Sequence, residues 1–228
     1  MANHLHSDWL ALPGIPAGSA AWERLPVRTQ SFVGLQDAAP RASWELNSFV
    51  EEILPAYDHQ TILMGHDLGG VVASMAALRK APKAVVLSGT ALGAWWFWTR
   101  LSAAPILNRL FYHTFKGGLF VRLGGGRFPS NPHTHNPEKM KRLAKKMKPP
   151  SDLVPQLAAR CPVFLIWGER EVFYPGFLAT SLAEAFTTTV LWSSGGHYCM
   201  WTQPQAYLEN MLHIEQQLAD IDALSCSK

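Results

Sequence analysis

The stretch of this sequence best suited to chemistry is Met64-Gly65-His66-Asp67-Leu68-Gly69-Gly70. It lies between an apolar, strand-like run and a run of small residues (Gly69, Gly70, Ala73, Ser74) that reads as the first turns of a helix. A turn leading straight from strand to helix strains the residue at its apex and presents that side chain at the edge of a sheet. Glycines two positions to either side allow the close packing such a turn needs. Gly65 and Gly69 have that spacing about Asp67. The pattern is that of a nucleophile elbow, G-x-Ser-x-G, with a carboxylate in place of the hydroxyl. A carboxylate at the apex suits attack on an sp³ carbon from which a halide or an epoxide oxygen leaves, forming an alkyl ester on Asp67. Attack on an ordinary ester would give an anhydride and expel a poor leaving group, which points away from simple esterase chemistry. The competing reading is local. Asp is favoured as a helix N-cap, where its carboxylate binds N–H groups of the following turn.

The elements that must hold this turn alternate along the chain. Strands are expected at Trp9–Leu12, Gln30–Val33, Gln60–Met64, Ala84–Ser88, Val163–Trp167 and Thr189–Trp192. Helices are expected at Ser19–Arg24, Trp44–Leu54, Gly69–Lys80, Gly176–Phe186 and Gln203–Ala219. Strand and helix alternating at this spacing predict a mostly parallel sheet with helices on both faces. Runs without polar alternation, such as Ile62-Leu63-Met64, agree with strands buried on both sides. The segment between Ser88 and Val163 breaks the rhythm with Pro105, Gly117-Gly118, Gly124-Gly125-Gly126 and Pro149-Pro150. It reads as an inserted cap over the carboxyl ends of the strands, where open α/β sheets place their ligands. The expected division is a core of residues 1–91 and 156–228 with a cap over 92–155.

With these elements in place, the chain resembles the α/β-hydrolase superfamily over essentially its full length, in its aspartate-nucleophile branch of epoxide hydrolases and haloalkane dehalogenases. Leu12-Pro13-Gly14-Ile15-Pro16 is similar to the family's H-G-x-P turn, with Pro13 where His is usual. Trp167-Gly168-Glu169-Arg170-Glu171 is similar to the strand and loop that carry the acid, with Glu171 where Asp is commoner. Ser194-Gly195-Gly196-His197, before the helix start Gln203-Pro204, resembles the late loop bearing the catalytic histidine. Chain order is nucleophile, acid, histidine, as in that superfamily. The resemblance implies an α/β-hydrolase fold with its N-terminal hairpin shortened, since only Met1–Ser7 precede the first strand. It implies Asp67 as nucleophile and His197, oriented by Glu171 or else Glu169, as the base that activates water. Backbone N–H groups of Leu68 and Ile15 would hold the oxyanion. Leu68 and Ile15 offer no side-chain donor to a halide, so Trp95, Trp96 or Trp98 would supply it. Tyr112 is the one tyrosine of the cap available to an epoxide oxygen, and Tyr174 and Tyr198 lie in the loops beside Glu171 and His197.

Composition narrows the class further. The chain has 228 residues, 48% hydrophobic and 16% charged, which excludes a disordered or fibrous protein. The longest apolar approach, Ala84 to Trp98, is interrupted by Ser88, Gly89, Thr90 and Gly93, so no membrane span is expected. His4, His6, Ser7 and Asp8 interrupt any leader pattern, and a cytoplasmic location is expected. Cys161, Cys199 and Cys226 have neither pairing nor metal spacing, and Cys161 and Cys199 read as buried small apolar residues. Net charge is +3, but Leu92 to Pro150 carries eleven Lys and Arg against the acid Glu138, a net +10 that leaves −7 for the rest. That is either a solvated face or a surface steering an anionic or carrier-tethered small-molecule substrate; no nucleic-acid module accompanies it.

Local readings of the remaining residues are blander. His66 reads as structural or as an entrance residue, and His133-x-His135 as no designed metal site. Trp95-Trp96-Phe97-Trp98 favours an apolar pocket, and Leu178, Leu182 and Phe186 a buried helix stripe. The leading expectation is an enzyme without metal or organic cofactor that opens an epoxide or displaces halide from a small, largely apolar substrate. Two rivals stay open: an ester, lactone or thioester hydrolase or cofactor-free acid–base enzyme on the same fold, and a catalytically silent ligand-binding protein.

Overall fold

The computed structural model describes residues 4–14, 18–32, 43, 45–90, 92 and 149–226. Its strands are β1 (Asp8–Leu12), β2 (Arg28–Thr29), β3 (Thr61–His66), β4 (Ala84–Ser88), β5 (Val163–Gly168) and β6 (Val190–Ser193). They form one sheet in the order β2-β1-β3-β4-β5-β6, with every neighbouring pair parallel. The helices are α1 (Leu46–Ile53), α2 (Leu68–Arg79), α3 (Leu153–Ala158), α4 (Gly176–Phe186), α5 (Cys199–Thr202) and α6 (Pro204–Cys226), with a 3₁₀ turn at Gly18–Trp22. From β1 the chain moves outward to β2, then crosses back to β3 on the other side of β1. The strand order therefore switches direction between β1 and β3, and a crevice at their carboxyl ends is where such a sheet places its ligand.

Residue alternation along the strands divides the core in two. Leu10, Leu12, Leu63, Val85, Leu87, Leu165 and Trp167 face one layer built by α1, α2, α3 and α4. Trp9, Ala11, Ile62, Met64, Val86, Phe164 and Ile166 face the other, closed by the Gly18–Trp22 turn, α5 and α6. On α6 the residues Tyr207, Met211, Ile214 and Leu218 recur at helical spacing and make its buried stripe. Full burial of side chains of this size favours the folded state by about 1.5–3 kcal/mol each. The central strands β3 and β4 are buried along their whole length, which is why they show no polar alternation.

Several elements differ from their sequence expectations. The expected strand at Gln30–Val33 gives way to a two-residue β2 at Arg28–Thr29. The apolar signal there comes from Phe32, which leaves the sheet to pack edge-on against Phe49 of α1 at 5.1 Å. Ser19–Arg24 forms a 3₁₀ turn rather than an α-helix. α6 begins at Pro204, where a missing N–H costs nothing, and runs on to Cys226. α3 and α5 are too short to show a period in sequence. Of the segment expected as a cap, only Leu92 and residues 149–155 are described. Leu92 is buried, and Leu153 and Leu157 of α3 belong to the core beside α2 and α4. Ile15, Trp95, Trp96, Trp98, Tyr112, His133 and His135 lie outside the described residues.

Candidate active site

Asp67 stands alone between the end of β3 and the start of α2, with φ 51° and ψ −119°. A residue with a Cβ in this region costs about 1–3 kcal/mol. The backbone around it holds that conformation. Its N–H donates to the carbonyls of Ser88 (3.2 Å) and Gly89 (3.1 Å), and its carbonyl accepts from Gly70 N–H (3.1 Å) and from the Thr90 hydroxyl (2.6 Å). A Cβ on Gly65 would lie 2.4 Å from the Gly69 carbonyl oxygen, and one on Gly69 would lie 2.1 Å from that of Leu12. Strand and helix can meet this closely only with glycine at both places. The N-cap reading fails here, because the Asp67 side chain makes no capping bond to α2.

The Asp67 carboxylate has two different surroundings. Oδ1 accepts a hydrogen bond from the Tyr174 hydroxyl at 2.5 Å. Oδ2 lies against Gly14 at the end of β1, where a Cβ would come within 2.8 Å of it. The turn after β1 thus meets the elbow at the switch point of the sheet. Leu68 opens α2 directly after Asp67, one residue before the expected start at Gly69.

The loops after β5 and β6 deliver the other two residues. A tight turn after β5, with Glu171 N–H on the Gly168 carbonyl at 3.1 Å, points Glu169 outward and Glu171 inward. After β6, Gly195 takes φ 120° and the chain folds back so that His197 is 3% exposed. His197 Nδ1 is 2.7 Å from Glu171 Oε2, whereas Glu169 is exposed. Glu171 Oε1 accepts from the N–H groups of Phe173 (2.7 Å) and Tyr174 (3.3 Å). Trp167 Nε1–H fixes the same loop by donating to the Tyr174 carbonyl at 2.8 Å. One carboxylate therefore orients the histidine and also the segment that brings Tyr174 to Asp67.

Electrostatics follow from this packing. Burial pushes the Glu171 carboxyl up, but the His197 imidazole and the hydrogen bonds it receives bring it below the usual range. Burial pushes His197 down, and the charge and hydrogen bond of Glu171, with the charge of Asp67, raise it above the usual imidazole value. Burial drives His66 well below that value, helped by the nearby His197. Burial, with the charges of Asp67 and Glu171, holds the Tyr198 phenol well above its ordinary value and keeps it protonated.

His197 sits in a box of rings. His66 is nearest at 4.3 Å between centroids, followed by Tyr198 at 4.8 Å, Phe173 at 5.0 Å and Tyr174 at 5.6 Å. His66 is fully buried, so it is not an entrance residue. Sequence reasoning noted Tyr174 and Tyr198 only as neighbours of the acid and the histidine. The signal that could have ranked Tyr174 higher is its place three residues beyond Glu171 in a short loop. Among the described residues no group of three or more His, Cys, Asp and Glu could hold a metal ion.

A family model described as the alpha/beta hydrolase family matches residues 4–210. No curated protein matches the chain. Among solved structures it is similar to a haloalkane dehalogenase from Bradyrhizobium elkani, at 17% identity and TM-score 0.67, covering 96% of this chain and 91% of that one. It is similar to a bromoperoxidase from Bacillus anthracis, at 16% identity and TM-score 0.68, covering 94% and 93%. It is also similar to a structure from the carboxylesterases of Nitrososphaera gargenis, at 16% identity and TM-score 0.63, covering 94% and 92%. Likeness at this identity speaks for the fold.

Proposed function

Since the chain belongs to the alpha/beta hydrolase family, we propose that it hydrolyses a small, largely apolar substrate by attack of Asp67 on an sp³ carbon, with His197 as base and Glu171 as its orienting acid. The observation that carries this reading is the Asp67 carboxylate itself. It is raised on a strained turn, bound to the Tyr174 hydroxyl rather than to its own helix, beside a buried imidazole whose far nitrogen is left to handle protons.

Oδ2 packs beside Gly14 and Oδ1 carries the hydrogen bond from the Tyr174 hydroxyl; in this reading Oδ1 is the attacking oxygen. Attack of Oδ1 forms the ester C–O bond as the carbon loses its leaving group. His197 then takes a proton from a water that adds to the Asp67 carboxyl carbon, and collapse returns the carboxylate and releases an alcohol. Leu68 N–H at the start of α2, with Ile15 N–H, would hold the oxyanion, each donor being worth about 3–4 kcal/mol. The Tyr174 hydroxyl favours an epoxide over a halide. An alkoxide leaving group needs a proton, and a phenol beside the attacking oxygen can shift its donation from Oδ1 to the epoxide oxygen as the ring opens. The phenolate so formed recovers its proton through His197 after the ester is cleaved, and the net reaction is epoxide plus water to diol. The aromatic run Trp95 to Trp98 supports an apolar substrate.

The net +10 of Leu92 to Pro150 supports a second reading, in which an acyl substrate bearing an anionic group is hydrolysed with His197 as base. The test is a panel containing styrene oxide, butyl bromide and a p-nitrophenyl ester with a terminal carboxylate, run on the parent, Asp67→Asn and His197→Ala. The first reading expects turnover of the epoxide or bromide that both substitutions abolish. Ester turnover that survives Asp67→Asn but not His197→Ala would replace it with the second.

A further inference from the structure

His66 is the last residue of β3, paired in register with Ser88 of β4. Its Nδ1 lies 2.9 Å from the Ser88 carbonyl oxygen. A carbonyl only accepts, so Nδ1 carries the proton and Nε2 is the bare nitrogen. That same carbonyl also accepts the N–H of Asp67, which ties the orientation of the His66 ring to the elbow. Nε2 is fully buried and has no hydrogen-bond partner among the described residues. A polar atom left this way is unfavourable.

The ring instead stands against His197, at 4.3 Å between centroids and tilted by 46°. Gly89, the residue after β4, marks where the groups converge. A Cβ there would lie 3.0 Å from Glu171 Oε2, 3.1 Å from His197 Nδ1 and 3.2 Å from His66 Cε1, and its φ of 46° already suits glycine. The imidazole of His197 is therefore pinned at Nδ1 by Glu171, backed by His66, and bordered by Phe173, Tyr174 and Tyr198. Among the described residues, the charged and titratable groups that face it are Glu171, Asp67, Tyr174, Tyr198 and His66 itself. Cys199 follows on α5 with its thiol held up to about 12 by burial, so it stays uncharged.

We infer that His66 is a positioning residue for the base: a neutral, hydrogen-bonded ring that forms the back wall of His197 and keeps its Nε2 aimed at the water that cleaves the Asp67 ester. The inference rests on the proposed Asp67 chemistry. It has a signature that a general loss of structure lacks, because formation of the ester needs Asp67 alone while its hydrolysis needs an aligned His197. Misplacing a catalytic group by about 1 Å is enough to cost a step roughly 100-fold.

The experiment is single-turnover kinetics with styrene oxide on the full chain, following ester formation and ester hydrolysis separately by rapid quench and intact mass. His66→Asn keeps an N–H for the Ser88 carbonyl but removes the ring. His66→Phe keeps a ring but removes the N–H. The expected result is hydrolysis slowed at least about 10-fold in His66→Asn, restored to within about threefold in His66→Phe, with ester formation changed by less than about threefold in both. Hydrolysis at the parent rate in His66→Asn, or His66→Phe no better than His66→Asn, overturns the inference. His197→Gln is the control. If it accumulates no ester, the Asp67 reading fails and this inference with it; if it does while His66→Asn hydrolyses normally, only the inference fails. Nitrogen NMR of the unmutated protein is independent of how the variants fold. It should show His66 as the neutral Nδ1–H form across the range in which His197 titrates, and a His66 that gains a proton there would overturn the wall as described.

Discussion

Replacing Glu171 with Gln removes a charge and forces a choice on the side chain. The carboxylate accepts from His197 Nδ1–H through Oε2 at 2.7 Å, and from the amides of Phe173 and Tyr174 through Oε1 at 2.7 and 3.3 Å. Glutamine has one acceptor oxygen, so its NH₂ must face either the imidazole N–H or the backbone N–H groups, donor against donor. The orientation that keeps the two backbone bonds gives up the charged bond to His197, a loss of about 1.5–3 kcal/mol. At about 1.36 kcal/mol per factor of ten, that slows the step needing the base by roughly 13- to 160-fold. Rapid-quench kinetics with styrene oxide should show ester hydrolysis falling by this amount, ester formation falling less, and a burst of bound intermediate in place of steady turnover. Glu169→Gln, at an exposed position, should change neither step by more than about twofold. A folded Glu171→Gln that hydrolyses the ester at the parent rate would refute the reasoning, as would Glu169→Gln being the impaired variant.

Other expectations follow from the same geometry. Tyr174→Phe removes the donor to Asp67 Oδ1; opening of styrene oxide should fall by about 10- to 100-fold while displacement of bromide from butyl bromide changes by less than about threefold, and equal losses on both would contradict the leaving-group assignment. Gly69→Ala drives a methyl to within 2.1 Å of the Leu12 carbonyl oxygen, which should destabilise the fold by about 1–3 kcal/mol or more; a melting temperature unchanged from the parent would show that the elbow is looser than described. The charges of Glu171 and Asp67 outweigh burial and raise His197, so its NMR midpoint should lie above 6.5 and fall in Asp67→Asn. Because the folded state holds that proton more tightly, the stabilisation it brings is present below pH 6.5 and lost as pH rises through the folded midpoint. Glu171, lowered from 4.5, contributes above that value and loses its contribution as pH falls through its folded midpoint. Urea midpoints measured against pH should show both limbs, and Glu171→Gln should flatten them.

Much of this was written in the chain at short range. The elbow is local: Gly65 and Gly69 flank Asp67, a buried strand precedes it and small residues follow it, so spacing alone located the turn. β4 and α4 run as expected, Ala84–Ser88 and Gly176–Phe186, because an uninterrupted apolar run and a helical stripe survive without tertiary help. β2 did not, because Phe32 made a core contact look like a strand. The acid could not be chosen from sequence, since Glu169 and Glu171 differ only in which way a three-residue turn throws them. The Tyr174 bond to Asp67 spans 107 positions, and the contact of His66 with His197 likewise depends on the order of strands, which no local pattern encodes.

The proposed reaction turns on one bond, between the Asp67 carboxylate and a substrate carbon. Its most direct test is one turnover of styrene oxide by excess protein in water enriched in the heavy oxygen isotope, followed by digestion and mass spectrometry of the peptide that contains Asp67. If water cleaves an ester at the carboxyl carbon, the label enters the Asp67 carboxylate and the diol from that first turnover carries none. Label found in the diol, with an unlabelled Asp67, would mean that water attacks the substrate directly and that the covalent step does not occur.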